Sequence, residues 1–445
     1  MENQYLKRNI DNELLEWSKE EHRKILLLRG ARQIGKSSAV RNLGKSFKYF
    51  VEVNFEKREK FHSLFEGDFS PQEICEQLSL EYKTPIIPGE TLLFLDEIQG
   101  CLRAISKLRY FYEDYPELHV VAAGSLLEFA LEELPSFGVG RIRSLFMFPF
   151  SFEEFLLAMG DEIWIEAYRK ATPEKPLYES VHKKLIQRLK TFLVIGGMPE
   201  VVKEYVKSKD LLKCQKILSD ILVSLRGDFG KYRKRVPALR INEVFQSVVH
   251  QSKGKFVYEH AAVQATNAQV KQALDLLMMA GLIYSITRTD ANGIPLGSEI
   301  NLKFQRFILL DTGLFQRVLK LDVSQILLSD DFQVVNSGAI AEIFVGLELM
   351  KASSCYDPDN LYYWERQKRQ ANAQVDFVIQ LGEDIVPVEV KSGTQGAMQS
   401  MRIFMAEKES KKGIRTSLEN FSQYEDIEVY PMYAISNLYK SNRLD

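Results

Sequence analysis

Residues 30 to 37 read Gly30-Ala31-Arg32-Gln33-Ile34-Gly35-Lys36-Ser37 and fit the pattern G-x-x-x-x-G-K-[ST] at every fixed position. The apolar run from Ile25 to Leu28 precedes them and is typical of a buried strand. Residues 38 to 43 can open a helix directly after the loop. A strand, a glycine loop and a helix in this order predict backbone amides that wrap phosphate groups beside a positive helix N-terminus.

Each polar residue of the loop has an expected task. Lys36 is expected to reach the β- and γ-phosphates, and the Ser37 hydroxyl is expected to hold Mg²⁺. The expected cofactors are therefore ATP and Mg²⁺. The residues predicted to line the nucleotide are Gly30, Ala31, Arg32, Gln33, Ile34, Gly35, Lys36, Ser37 and Ser38.

A second motif follows at Leu92-Leu93-Phe94-Leu95-Asp96-Glu97. Four apolar residues predict a buried strand, and two carboxylates stand at its carboxyl end, where open α/β sheets bind ligands. We expect Asp96 to lie near the metal ion, directly or through water. Glu97 would polarise the attacking water as the general base.

The composition narrows the class of protein. A chain of 445 residues with 45% hydrophobic and 27% charged residues predicts two to four globular domains. No apolar run reaches the ~20 residues of a membrane helix, so no membrane partner is expected. The net charge of −2 argues against a globally basic nucleic-acid binder. Four scattered cysteines support neither a zinc motif nor a disulfide framework, and favour a cytoplasmic setting.

Strand and helix patterns alternate over the first 125 residues, which predicts a parallel sheet wrapped by helices. The run from His119 to Ser125 is the last buried strand of this series and ends in a polar residue. Ser125 could sense the γ-phosphate or cap the helix predicted from Leu126 to Leu134, and one hydroxyl could do both. Arg141 could reach a transition-state phosphate, in its own chain or in a neighbouring copy of a homo-oligomer, or form a surface salt bridge.

The remaining patterns suggest three further regions. Ser151 and Glu154 form a capping box that predicts a helix from Phe152 to near Gly160. Residues 1–160 are therefore assigned to the P-loop ATPase core, 161–250 to a helical lid or linker, 251–300 to a winged-helix-like segment and 301–445 to a nuclease-like domain. The winged-helix pattern could read DNA. Its second helix, from Asn267, carries no arginine, which favours a structural or protein-docking role.

The last region holds a second group of chemical residues. A helix from about Gly338 carries Glu342, a strand from Val375 carries Asp376, and the next strand carries Glu389 and Lys391. Alternation places Glu389 and Lys391 on the same side of their strand. The three carboxylates would bind one or two Mg²⁺ ions, and Lys391 would help to activate water. The spacing matches the PD-(D/E)-x-K nuclease core, and a salt-bridge cluster between strands is the alternative.

The order of these motifs resembles the prokaryotic AAA-type ATPases that carry a C-terminal domain of unknown function. The resemblance covers nearly the whole chain and implies an ATP-binding core, a winged-helix middle and a nuclease-like end. The motifs that carry it are residues 30–37, Leu95-Asp96-Glu97, Gly124-Ser125, Gly140-Arg141, Pro149 to Phe155, Gly196-Gly197-Met198-Pro199-Glu200, Tyr363-Trp364, Val375-Asp376-Phe377 and Val388 to Lys391.

Three functions follow from these patterns. The first is a Mg²⁺-dependent ATPase whose closure moves the C-terminal half. The second is an ATP-gated nuclease that acts on DNA or RNA. The third is a nucleotide-switched module that recruits DNA or a protein without chemistry at its end domain.

Overall fold

The computed structural model describes residues 5–134, 140–232, 236–252, 254–262, 264–321, 337–366, 373–393 and 398–440. The chain divides into two compact units. Unit 1 consists of Met1–Pro149, Met279–Gly281 and Cys355–Asp357, and unit 2 consists of Phe150–Met278, Leu282–Ser354 and Pro358–Asp445. The finer borders expected at residues 160, 250 and 300 stay predictions.

Unit 1 contains a five-stranded parallel sheet with the strand order β2-β3-β4-β1-β5. This confirms the predicted α/β class. Its elements are α1 (Ile10–Lys19), β1 (Ile25–Arg29), α2 (Lys36–Gly44), β2 (Tyr49–Asn54), α3 (His62–Glu66), α4 (Pro71–Tyr82), β3 (Thr91–Asp96), α5 (Leu102–Asp114), β4 (His119–Ala123), α6 (Leu127–Glu132) and β5 (Ile142–Phe146). Because β4 lies between β1 and β3, the two strands that lead into the motifs are not direct neighbours.

The sheet forms because its central strands are almost entirely apolar. All residues of β3 and β4 are buried, as are the first four residues of β1. Strands that are apolar on both faces are typical of parallel sheets covered by helices. Helix α1 contributes the fully buried Trp17, whose indole Nε1 donates a hydrogen bond to the Lys24 carbonyl at 2.7 Å. The first helix is thereby fixed at the point where β1 begins.

The residue pattern from Ser63 to Tyr82 predicts a helix, and this prediction is wrong in one respect, because the structure has two helices there. Helix α3 ends at Glu66 and α4 begins at Pro71. Ser70 caps α4 through a capping box with Glu73, and Pro71 occupies the first turn. Proline is favoured at a helix start and cannot donate the hydrogen bond that a continuous helix requires.

Unit 2 combines helices with an eight-stranded mixed sheet of strand order β12-β13-β11-β10-β9-β8-β6-β7. Among the described residues, it has no helix with the length and apolarity needed to cross a membrane, and neither has unit 1. The helices are α7 (Phe152–Met159), α8 (Glu162–Lys170), α9 (Glu179–Ile195), α10 (Pro199–Ser208), α11 (Leu211–Asp228), α12 (Ala238–His250), α13 (Asn267–Met279), α14 (Thr312–Val318), α15 (Ser337–Ala352), α16 (Gln399–Lys408) and α17 (Asn437–Lys440). The strands are β6 (Ile283–Thr289), β7 (Ile300–Leu309), β8 (Leu361–Glu365), β9 (Gln374–Leu381), β10 (Asp384–Val390), β11 (Gly413–Ser417), β12 (Ser422–Tyr424) and β13 (Ile427–Pro431).

Two sequence predictions within unit 2 are confirmed locally. Helix α7 begins at Phe152 with the predicted capping box, and its cap Gly160 has a positive φ of 79°. The apolar run from Leu282 to Ile286 predicts a strand, which is present as β6 and pairs with both β7 and β8 in the large sheet. A winged-helix segment would have a first helix shortly before the helix that begins at Asn267. In the described residues, the short 3₁₀ turn Tyr258–His260 stands at that position.

The glycine pair Gly196-Gly197 predicts a sharp break between two helices, and in the structure it separates α9 from α10. This break depends on the buried carboxylate of Asp311. The Gly197 amide donates to Asp311 Oδ2 at 2.6 Å, and the Leu314 amide donates to Oδ1 at 2.9 Å. Gly196 has a φ of 72°, and a Cβ there would lie 2.2 Å from Asp311 Oδ1. The break between α9 and α10 is therefore tied to the start of α14.

The Ser70→Ala substitution should loosen the first turn of α4, because the hydroxyl that accepts from the Glu73 amide is lost. We expect a cost of about 1 kcal/mol, or roughly fivefold faster hydrogen exchange of the peptide that spans residues 70–76. Ser106→Ala is the matched control, since that hydroxyl only donates to the Leu102 carbonyl within α5. Equal exchange in both variants would contradict the cap assignment.

Candidate functional site

The phosphate loop is a tight turn between β1 and α2. Gly30 and Gly35 have φ values of 133° and 96°, and Gln33 has a φ of 64°. A Cβ on Gly30 would lie 2.3 Å from the Met147 carbonyl oxygen, so no larger residue fits there without a backbone shift. The glycines thus permit a conformation in which the loop curls over the N-terminus of α2.

Lys36 lies inside this turn. Its Nζ donates hydrogen bonds to the Gly30 and Ala31 carbonyls at 2.8 and 2.7 Å. Burial lowers the pKa of Lys36 to about 8, while the charges of Glu97 and Asp96 oppose that shift. An anion within the loop would favour the charged form of this amine. The ammonium is therefore placed where a polyphosphate would be bound.

Ser37 and Asp96 meet at the carboxyl edge of the sheet. The Ser37 hydroxyl donates to Asp96 Oδ1 at 2.8 Å, and Asn54 Nδ2 donates to Oδ2 at 2.9 Å. Burial raises the pKa of Asp96, although the hydrogen bond from Ser37 counteracts the shift. One hydroxyl and one carboxylate, both oxygen donors, form the hard donor set that suits Mg²⁺.

Glu97 follows β3 in a left-handed conformation with a φ of 49°. Its Oε2 accepts hydrogen bonds from Gln99 Nε2 at 2.7 Å and from the Ser125 hydroxyl at 3.3 Å. Gly124 leaves room for Gln99, because a Cβ at residue 124 would lie 2.2 Å from Gln99 Oε1. Ser125 is therefore joined to Glu97, and the helix-cap alternative for its hydroxyl is not supported, since α6 has no side-chain cap.

The other loop residues surround this centre. Ala31 and Ile34 are buried, whereas Gln33 and Ser38 are exposed. Arg32 lies 4.0 Å from the Glu56 carboxylate and is half-buried at the loop. The predicted nucleotide-binding residues thus form one continuous segment around Lys36, and their contact with a nucleotide stays a prediction.

Arg8 is a member of this region that the sequence patterns did not indicate. Its side chain is buried, with Nη1 donating to the Ile34 carbonyl at 2.9 Å and Nη2 donating to the Phe148 carbonyl at 2.7 Å. The guanidinium thereby connects the phosphate loop to the segment that follows β5. Its position just before α1, far from the loop in sequence, gave no signal.

Arg141 is not brought to the phosphate loop. It directly precedes β5, and its carbonyl accepts from the Ile25 amide at the beginning of β1. The phosphate loop follows the other end of β1, roughly 13 Å away at 3.3 Å per residue. The Arg141 guanidinium instead pairs with Glu113 at 2.8 Å. The expectation that Arg141 acts on a phosphate in its own chain is therefore wrong.

The second predicted group assembles within unit 2. Strands β9 and β10 pair antiparallel, and the Val390 amide donates to Asp376 Oδ2 at 2.9 Å. Lys391 Nζ donates to Glu389 Oε1 at 2.7 Å, as the predicted alternation requires. Burial and the charge of Asp376 raise the pKa of Glu342 to about 7, and the same two causes raise the pKa of Glu389 to about 7. Burial also raises the pKa of Asp376.

A buried arginine completes this carboxylate cluster, which consists of Glu342, Asp376 and Glu389. Arg306 on β7 forms an ion pair with Glu342 and lies 5.5 Å from the centre of the Tyr363 ring. The arginine charge lowers the pKa of both Glu342 and Asp376 against the effect of burial. Glu389 Oε2 is buried without a hydrogen-bond partner among the described residues. In this cluster, Glu389 Oε2 is therefore without a hydrogen-bond partner among the described residues, whereas the Glu342 carboxylate is already paired with the Arg306 guanidinium.

Family comparisons divide the chain in three. Residues 22–156 match the family model of an AAA domain, so this stretch is similar to P-loop domains of AAA type. Residues 186–325 and 337–435 match two domains of unknown function, DUF8612 and DUF4143. No curated protein matches the sequence significantly.

Several solved structures are distantly similar to the chain. A Walker-type ATPase of Pyrococcus abyssi is 17% identical with a TM-score of 0.45, over 71% of this chain and 96% of that one. The Orc1 protein of Aeropyrum pernix in complex with DNA is 14% identical with a TM-score of 0.27, over 73% and 93%. The RuvB Holliday junction branch migration motor of Thermotoga maritima is 14% identical with a TM-score of 0.25, over 62% and 88%.

The Arg8→Met substitution should weaken nucleotide binding without touching a nucleotide-contacting side chain, because the Ile34 carbonyl loses its charged donor. Hydrogen bonds from charged groups contribute about 1.5–3 kcal/mol, so we expect roughly tenfold weaker affinity for a fluorescent ATP analogue. Arg23→Met is the matched control, since Arg23 donates to the Glu20 carbonyl away from the loop. Unchanged affinity for the ATP analogue in Arg8→Met would contradict the inference that the Arg8 guanidinium stabilises the phosphate loop.

Proposed function

We propose that this protein binds and hydrolyses ATP with Mg²⁺, and that hydrolysis drives a conformational change of its nuclease-like C-terminal region, which acts on DNA or a protein. The observation that supports this most is the meeting of Ser37 and Asp96, with Lys36 inside the loop and Glu97 beside them. An ammonium, a hydroxyl and two carboxylates at one edge of a parallel sheet suit phosphoryl transfer.

Each side chain has a defined task in this proposal. Lys36 and the loop amides bind the phosphates, and Ser37 and Asp96 hold the metal ion. Glu97 accepts a proton from water, while Gln99 and Ser125 hold its Oε2 and so orient the carboxylate. Among the described residues no group donates to Glu97 Oε1, which leaves that oxygen for the water. Bound Mg·ATP would supply the scissile phosphoanhydride and the charge-neutralising cation.

A second candidate function is metal-dependent nucleic-acid cleavage gated by ATP. The carboxylate cluster favours it, because Glu389 Oε2 is buried without a partner and Lys391 is placed beside Glu389. Glu342, Asp376 and Glu389 would hold Mg²⁺, and Lys391 would orient water. The ion pair between Arg306 and Glu342 opposes this function, since the arginine occupies one expected ligand.

The Lys36→Ala and Glu97→Gln variants should separate binding from hydrolysis. Lys36→Ala removes the ammonium and should abolish measurable ATP binding. Glu97→Gln keeps the amide and hydroxyl contacts but cannot accept a proton, so turnover should fall by roughly 10²–10⁴-fold with affinity retained. Phosphate release and binding of a fluorescent ATP analogue measure the two properties.

Lys48→Ala and Glu90→Gln are the matched controls for these variants. The two residues form an exposed ion pair with each other, 2.8 Å apart, outside the candidate site. Both controls should hydrolyse ATP at the rate of the unaltered protein. If all four variants turned over ATP equally, the assignment of the site would be refuted.

If the second candidate is correct, Mg²⁺-dependent cleavage of DNA or RNA should disappear in Asp376→Asn and Lys391→Ala, while ATP hydrolysis continues. The controls Asp384→Asn and Lys411→Ala alter an exposed pair 3.4 Å apart at the start of β10, and should cleave normally. Cleavage that persists in both site variants would identify a contaminant. With no cleavage at all, ATP-dependent retention of DNA or a protein would favour a nucleotide-switched interaction module.

A further inference from the structure

Three potential metal ligands of different chemistry meet in unit 1 outside the residues discussed so far. His62, Glu66 and Cys101 each offer one ligand atom, and these atoms lie within 4.8 Å of one another. Among the described residues, no other group of three or more His, Cys, Asp and Glu side chains brings its ligand atoms this close together. The carboxylate cluster of unit 2 does not meet this spacing. Ligand atoms around a tetrahedral zinc ion are roughly 3.5 Å apart, so a small inward movement would complete the geometry.

The backbone brings these three side chains together. His62 and Glu66 are four residues apart in α3 and therefore lie on the same face of that helix. Cys101 is the N-cap residue of the 13-residue helix α5, and its thiol lies close to the His62 and Glu66 side chains of α3. The cysteine is buried, the histidine is half-buried and the glutamate is exposed, so the group opens to solvent on one side.

The hydrogen bond of His62 leaves one nitrogen of its ring able to bind a metal ion. Its Nε2 lies 3.0 Å from the Phe55 carbonyl oxygen, which can only accept, so Nε2 carries the proton. The Nδ1 atom then keeps its lone pair. Metal-binding histidines almost always use the other ring nitrogen in this way, as a donor to a carbonyl or carboxylate. In addition, Glu66 makes no hydrogen bond or ion pair with the described part of the chain.

We propose that His62, Glu66 and Cys101 form a zinc site with one open coordination position. A thiolate, an imidazole and a carboxylate suit Zn²⁺ far better than Mg²⁺, which prefers oxygen ligands only. The site is distinct from the nucleotide site and does not depend on the proposed ATPase function. It would fasten α3, which follows β2, to the start of α5, which follows β3.

The backbone connects the proposed zinc site to Asp96 and Glu97, the two carboxylates of the candidate nucleotide site. The Phe55 carbonyl accepts the hydrogen bond from His62 Nε2, and the Phe55 amide donates to the Asp96 carbonyl at 3.1 Å. Cys101 is separated from Glu97 by the single 3₁₀ turn Ile98–Gly100. A metal ion held by these ligands would therefore restrain the backbone on both sides of Asp96 and Glu97.

Cobalt substitution tests the site directly on the full, nucleotide-free chain. We expect one Co²⁺ per chain with a thiolate-to-cobalt charge-transfer band and tetrahedral visible bands, both removed by one equivalent of Zn²⁺. Cys101→Ser should lose the charge-transfer band and bind Zn²⁺ at least about tenfold more weakly in competition with a chromophoric chelator. His62→Gln should keep the charge-transfer band but alter the visible bands.

Two controls keep the result interpretable. Cys355→Ser changes a half-buried cysteine that does not belong to the group and should retain the full spectrum. Lys36→Ala should retain it as well, which separates the zinc site from nucleotide binding. Zn²⁺ should raise the thermal unfolding temperature of the unaltered protein and not of Cys101→Ser. Absence of the charge-transfer band in the unaltered protein, or equal Zn²⁺ affinity in Cys101→Ser, would overturn the proposal.

Discussion

The hydrogen bond between the Ser37 hydroxyl and Asp96 Oδ1 is the contact on which the candidate nucleotide site depends. The two residues lie 59 positions apart in the chain. Ser37 comes after β1 and Asp96 is the last residue of β3, and these two strands are not adjacent in the sheet. Strand β4 lies between them and delivers Ser125 to the same edge. Because the strands are parallel, their carboxyl ends are collected on one side, and chemistry from three chain segments meets there.

Most of unit 1 could be predicted from the sequence because its signals are local. Apolar runs of four or five residues predict buried strands, and the glycine pattern of residues 30 to 37 predicts the loop conformation. The same topology explains the error at Arg141. A residue that precedes a parallel strand lies at the amino edge, opposite the ligand edge, and Arg141 precedes β5. Its place soon after β4 in the sequence was misleading, because β4 and β5 are both parallel to β1 and Arg141 precedes β5.

What the sequence could not indicate are buried polar partners that are distant in the chain. Arg8 donates a hydrogen bond to the phosphate loop, and Asp311 accepts one from the Gly197 amide between α9 and α10. Arg306 forms an ion pair with Glu342. Each of Arg8, Asp311 and Arg306 is a single buried charged residue with no periodic pattern around it, and each has a partner that is distant in the sequence. The group of His62, Glu66 and Cys101 is similar, since its spacing of 35 residues between Glu66 and Cys101 matches no short metal motif.

The two units place their ionisable groups in different physical situations. In unit 1 the carboxylate of Asp96 is already compensated by a hydroxyl and an amide, so the site needs only phosphate and metal to be complete. In unit 2 the buried Glu389 and the half-buried Glu342 and Asp376 repel one another, and Arg306 and Lys391 offset part of that charge. Such a cluster is poised either to bind a cation or to remain a structural ion-pair network, and the geometry alone fits both.

Calorimetric titration of the folded chain with Mg²⁺ and a non-hydrolysable ATP analogue tests the central claim most directly. The account predicts saturable heat at one site per chain, because the loop, the buried ammonium and the paired hydroxyl and carboxylate are already in place. Well-folded protein that gives no heat with adenine or guanine nucleotides would contradict it.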